Sequence, residues 1–368
     1  MNLQPKTAAR IARAGLSLIV LGATVAACGG GDDHPATPPV VPPPTITSAF
    51  TTKAVVADAG TAAAHTDANL VNAWGIAFNP TGFVWVANNG TSTSTLYDGD
   101  GVPQTLVVAV PGSPTGIVFN GSSDFKVTAN GVTGASPFVF VGETGTVSGW
   151  SPAVDRTHAI TAVDTGGTAV YQGLAIGAYA GANYLYAADF RNNRIDVYDA
   201  TWKKATLPGT FTDPNLPAGY APFGIQASGD RVYVAYAQRA ATGTEEAKGA
   251  GLGVVDVYDT AGNMIRRVAA GGALNAPWGL AVAPANFGDF SNALLVANFG
   301  DGKINAYNPA TGAFIGTLAK ADKTPIVIDG LWGIAFGNGV NGQPTNTLFY
   351  TAGPGDEAHG AYGRIDLQ

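Results

Sequence analysis

The stretch YAADFRNNRIDVYD, Tyr186–Asp199, alternates apolar and polar residues, breaks at Arg191-Asn192-Asn193 and alternates again. Alone it reads as two short strands around a polar turn, an ordinary hairpin signal. Its weight comes from recurrence. AWGIAF around Gly75 returns as PTGIVF at Gly116, YQGLAI at Gly173, PFGIQA at Gly224, PWGLAV at Gly279 and LWGIAF at Gly333. Each copy is followed by a strand such as VWVANNG, YLYAADF or LLVANFG, and several by a third such as RIDVYD, VVDVYD or KINAYN. The six glycines are spaced 41 to 57 residues apart. A unit of that size cannot bury its faces alone and stacks with its neighbours into a ring. The expected architecture is all-β: a six-bladed β-propeller of four-stranded antiparallel blades, covering residues 46–368.

Composition agrees. Glycine is 50 of 368 residues and charged residues are 12%, against averages of about 7% and about 25%. Short runs of Val, Ile, Thr, Tyr and Phe are bounded by Gly, Asn, Asp and Pro, the chemistry of turn-rich β structure. No long stretch keeps a 3.6-residue period, so almost no helix is expected after the leader. The last repeat supplies only three strands, LWGIAF, TLFYTA and YGRIDLQ. An open outer edge would invite aggregation. Thr52–Asp58, TKAVVAD, matches outer-strand segments such as HAITAVD and TLVVAV, and is predicted to complete that blade and close the ring.

The N-terminus follows other rules. Lys6, Arg10 and Arg13 precede an uncharged run from Ala14 to Ala27, shorter than the roughly 20 apolar residues that span a bilayer. This pattern reads as a signal peptide, residues 1–27. The run ends in VAAC, and Cys28 is the single cysteine of the chain. The sequence there resembles the lipobox of bacterial lipoproteins, which implies that Cys28 is the lipidated N-terminus of the mature protein. Gly29, rather than Asp, after the cysteine favours the outer membrane by the same resemblance. Residues 28–45 are rich in Gly and then Pro and read as an extended tether. The leader takes away three basic groups and no acidic one, so the net charge of -7 becomes -10. An acidic protein is not built for nucleic acid. The expectation is an exported single propeller acting as a monomer, membrane-held through its lipid.

YAADFRNNRIDVYD and LVANFGDGKINAYNPATG resemble the NHL repeat of six-bladed β-propellers. The whole chain is similar to an uncharacterised family of exported bacterial propeller proteins. The resemblance implies the fold and leaves the activity open, since propellers host many functions.

Antiparallel pairing locates a candidate site. The start of each inner strand and the end of each second strand lie on one rim. Trp74, Gln172, Phe223, Trp278 and Trp332 stand just before the repeat glycines, and Asn88, Glu143, Asp189 and Asn298 close second strands. The aromatic set with Gln172 suits a rim that holds a small molecule, a glycan or a protein partner. Trp74 also shares side-chain parity with Ile76 and Phe78, which fits packing between blades. The four carboxylate and amide groups are the ligand types of a hard divalent cation. They allow an alternative, a metal-dependent hydrolase or lyase of the propeller lactonase type, and a redox quinoprotein is a third class without supporting motifs. Asp189 and Arg194 also fit a brace within one blade. The two longest second-to-third connections, Ala237–Gly253 and Gly353–Gly363, rise from the same face. His34, His65, His158 and His359 are scattered, without zinc spacing. The run DGDG, Asp98–Gly101, reads as a tight turn.

Overall fold

The computed structural model describes residues 45–368 apart from 61 and 242; the leader, Cys28 and residues 29–44 lie outside the described residues. The six repeats form six blades around an axis. The inner strands are Ala73–Phe78, Pro114–Phe119, Tyr171–Tyr179, Tyr220–Ser228, Pro277–Val282 and Leu331–Phe336. Each pairs antiparallel with a second strand, and that with a third. Blade 2 carries an extra hairpin, Lys126–Ala129 with Val132–Ala135, between its first two strands. Gly288–Phe290 is the one helical turn among the described residues.

Five blades have a full outer strand. In blade 3 it shrinks to a single bridge, Tyr198 with Lys204. The segment that follows contains Pro208, Pro214 and Pro217, which cannot donate to a ladder. The edge is tied by side chains instead: Lys204 donates to Asp196 at 2.8 Å.

Ring closure follows the expected route. Phe50–Ala57 lies antiparallel to the last strand, Ala361–Leu367, with Phe50 opposite Leu367 and Ala57 opposite Ala361. The strand starts two residues earlier and ends one earlier than its sequence pattern suggests. Asp289 of blade 5 clamps the segment ahead of it, accepting from the backbone N–H groups of Thr47 and Ser48 at 2.6 and 2.7 Å. These bonds hold its carboxyl down at about 2. Phe50 then packs on Phe287 and Phe290.

Each repeat glycine sits where the next blade's backbone comes closest. A Cβ at Gly75, Gly173, Gly224, Gly279 or Gly333 would stand under 3.0 Å from the carbonyl oxygen of Thr115, Phe223, Trp278, Trp332 or Trp74 respectively, and one at Gly116 would meet the backbone of Gly173 and Leu174. The contact runs round the ring and closes on itself. Only glycine permits backbones to approach so nearly.

Because blade 6 depends on Phe50–Ala57 for its outer strand, deleting residues 46–58 should lower the melting temperature sharply. Deleting 29–44 should leave it nearly unchanged. Equal melting temperatures for the two truncations, measured by circular dichroism, would contradict this closure.

Candidate functional site

All six inner strands carry a bulge at the same place. Tyr171 pairs with Asp189 and Gly173 with Ala188, leaving Gln172 as the extra residue. The same one-residue shift falls between Pro222 and Gly224, between Pro277 and Gly279, and at the corresponding points of the other three blades. A bulge re-aims one side chain and strengthens the local twist. Here it turns the residue before each glycine toward the axis.

The result is an aromatic plug across the channel. Trp74 stacks on Trp332 at 3.5 Å between ring centroids and meets Trp278 and Phe223 edge-on. Phe299 stacks on the far side of Trp332 at 3.8 Å, and Phe190 packs on Phe223. Two indoles are pinned across the ring: Trp278 Nε1 donates to the Gln172 carbonyl at 2.9 Å, and Trp332 Nε1 to Asn72 Oδ1 at 3.1 Å. The five residues expected to form an open rim are therefore together but covered. Trp74 and Gln172 are 3% exposed, Trp278 8%, and Phe223 and Trp332 0%. They are the floor of the mouth, since ring faces that stack on one another are not free for a ligand.

Polar groups stand over this floor. Asn72 adopts φ +47°, a left-handed conformation that Asn tolerates better than most residues. Its Nδ2 donates to Glu357 Oε2 at 3.0 Å and to Asn89 Oδ1 at 3.4 Å. Asn89 Nδ2 donates to Glu143 Oε2 at 2.8 Å. Two amides thus join the carboxylates of blades 2 and 6. Burial pushes the Glu143 carboxyl above its usual range, against hydrogen bonds from Asn89 and Gln172 and with help from the Glu245 charge. Glu357 is raised in the same way, with Asn72 opposing. Glu246, on the long connection of blade 4, is raised to about 7, by burial first and then by Glu357 and Glu245. Two buried polar atoms here lack partners, Gln172 Oε1 and Trp74 Nε1.

Three of the four proposed metal ligands are hydrogen-bonded to residues close by in sequence, and the fourth, Glu143, is out of register with them. Gly142, not Glu143, pairs with Pro114 at the position where Asn88 pairs with Ala73 and Asp189 with Tyr171. Glu143 is thus one residue further along, and successive side chains in a strand point to opposite faces. Asn88 donates to Thr93 and Thr95 within its own blade. Asn298 donates to the Ala273 carbonyl and to Asp301. Asp189 accepts from Val170 N, Asn192 N and Asn192 Nδ2, and meets Arg194 at 3.4 Å, the expected brace. Arg194 also binds Asp196, at 2.8 Å. Among the described residues no three His, Cys, Asp or Glu side chains are placed to hold a metal ion. Asn72, Asn89, Glu246, Lys248 and Glu357 were not singled out by sequence. All lie on connections, where the repeat pattern gives no register, although Glu246, Lys248 and Glu357 sit on the long loops expected at this face.

Below the plug the channel opens at the other mouth into a cavity of about 360 Å³. Ile76, Phe78, Ile117, Phe119, Ile334 and Phe336 line it, and Gln226 and Ser228 are its polar side chains. The ring therefore presents one mouth with carboxylates and one without them.

This geometry defines a six-bladed β-propeller with a plugged channel. No family model matches the chain. It is 33% identical over 317 residues to the uncharacterized protein R648 of Acanthamoeba polyphaga mimivirus, covering 82% of this chain and 76% of that one. A second uncharacterized protein of the same virus, L690, is 32% identical over 287 residues, covering 74% and 75%. The chain belongs to the family of these viral proteins. Among solved structures it is similar to a protein of unknown function from Bacteroides thetaiotaomicron, with TM-score 0.55, 12% identity and coverage of 87% of this chain and 76% of that chain. It is also similar to the PQQ-bound aldose sugar dehydrogenase of Streptomyces coelicolor, with TM-score 0.52, 15% identity and coverage of 89% and 100%. At these identities the likeness is one of fold.

Glu246 gives the mouth a pH signature. Its folded pKa of about 7 lies above the ordinary value of 4.5. Between the two, the folded protein keeps a proton that the unfolded chain has lost, so stability falls as pH rises through this window. Glu246→Gln should therefore raise the melting temperature at pH 8 and leave it nearly unchanged at pH 4. A variant that melts below wild type at pH 8 would contradict the assignment.

Proposed function

We propose that this chain is a binding propeller of the cell envelope, held by lipid on Cys28, that takes a small molecule, a glycan or a protein side chain at its carboxylate mouth. One observation carries the reading. Glu143 is a half-buried carboxylate fixed by Asn89, beside a buried Gln172 oxygen with no donor. A buried polar group left unpaired costs stability, and a donor brought by a ligand would remove that cost. The aromatic plug gives the mouth a close-packed apolar floor, over which a few polar contacts can fix a ligand's orientation. The repeats are read as NHL-like, and the Asp189–Arg194 brace supports that reading. The VAAC sequence after a basic and apolar leader supports export and lipidation.

Two experiments test the proposal. Thermal-shift screening against neutral saccharides, organic acids and amines should find a compound that stabilises wild type by several degrees but not Glu143→Gln. A library in which every hit acts equally on both proteins would count against the mouth. For the anchor, Cys28→Ala should move the protein from the membrane to the soluble fraction. A variant that stays membrane-bound through high-salt and alkaline washes would refute lipidation.

A further inference from the structure

We infer that the carboxylate mouth is a site for an alkylammonium group, with the chain's own Lys248 as a neighbouring cation that competes with it. The inference rests on reading the mouth as a binding site and names the chemistry of its ligand.

The hydrogen bonds leave one kind of vacancy. Asn72 Nδ2 spends its donors on Glu357 and Asn89, and Asn89 Nδ2 spends its own on Glu143 and the Ser113 carbonyl. Both amide oxygens are taken, Asn72 Oδ1 by Trp332 and Asn89 Oδ1 by Asn72. What remains is acceptor capacity: the Gln172 oxygen, buried and without a donor, and two carboxylates that can each accept more bonds than they receive. An ammonium group has three donors and no acceptor. A neutral sugar would bring acceptors as well, and the unpaired donor at this level is Trp74 Nε1, inside the plug.

Charge points the same way. Glu143, Glu245, Glu246 and Glu357 act on one another at the mouth, and Lys248 is the cation that offsets them at Glu246 and Glu357. Its Nζ lies 4.2 Å from the centre of the Phe299 ring, with the ring's negative face toward it. Lys248 is exposed, so its flexible stem can leave without unpacking the floor. Beside it, between blades 5 and 6, a cavity of about 330 Å³ begins at Lys248 and Phe299 and runs past Asp301, Val327, Asp329 and Asp356. It has room for an alkyl chain and acids for a second ammonium group. A metal ion would need several ligands on one centre, whereas an ammonium group is held by one carboxylate, one further acceptor and an aromatic face.

The chemistry could arrive as a free amine or on the side chain of a lysine, and the probes separate these. Full-length protein in detergent is titrated calorimetrically at pH 8 and low salt with 1,5-diaminopentane and with Nα-acetyl-lysine methylamide, and with 1-pentanol as the uncharged control. The expected result is one-to-one binding of at least one amine and none of the alcohol. Glu143→Gln and Glu357→Gln should each weaken it about tenfold or more, and Lys248→Met should tighten it several-fold by removing the internal competitor. Preference for the diamine assigns a free amine, and preference for the lysine derivative a protein partner. Absence of amine binding in both wild type and Lys248→Met, or binding indifferent to both Gln variants, overturns the ammonium assignment. Looser binding in Lys248→Met overturns the role given to that lysine. If the amines fail while a neutral compound from the screen depends on Glu143, the ammonium inference falls and the mouth stands; if nothing depends on Glu143, both fall.

Discussion

The contact between each repeat glycine and the backbone of the next inner strand sets the rest of the structure. Five of the six glycines face the carbonyl of the residue just before the next blade's glycine, and the sixth meets the neighbouring backbone directly. Such close approach brings the inner strands to a narrow channel. The bulge at the same residue then turns one side chain per blade inward. With three tryptophans and a phenylalanine among those six positions, the channel fills. The two features reinforce one another: the glycine admits the neighbour's backbone, and the bulge takes the adjacent side chain away from that contact.

Filling the channel separates two environments that a hollow propeller would connect. On one side the plug supports the hydrogen-bonded chain from Trp332 through Asn72 and Asn89 to Glu143. On the other it caps a funnel lined by isoleucine and phenylalanine side chains with Gln226 and Ser228. Carboxylates held over aromatic rings lose solvent, and their raised pKa values follow from that loss more than from mutual repulsion. Burial disfavours the charged form, and a cation restores it. The chemistry of the mouth is thus a consequence of the packing beneath it.

The sequence was informative wherever the repeat imposes register. Gly75 and its five counterparts, the three-stranded last repeat and the outer-strand pattern before residue 59 all rest on local alternation, and the structure places them accordingly. Blade 3 departs because three prolines interrupt its outer segment. The site was only partly legible. Glu143 aligns by repeat with Asn88 and Asp189, yet the strand pairing puts Gly142 there, and one residue in a strand reverses the face. The tryptophans were located at the correct level, but alternation alone assigns Trp74 the parity of Ile76 and hides the bulge that re-aims it. Asn72, Lys248 and Glu357 lie on connections without periodicity. Only the three-dimensional course of those loops brings them together.

The closed channel is the claim on which the mouth depends, and exchange of the indole protons tests it most directly. In protein labelled with 15N at the indole nitrogens, assigned through single Trp→Phe variants, the Nε1 protons of Trp278 and Trp332 should persist long after transfer to deuterium oxide. Both are buried and bonded across the ring. Loss of both signals within minutes, under conditions where the strand amides of the same blades remain protected, would mean that water reaches the axis and that the plug does not exist.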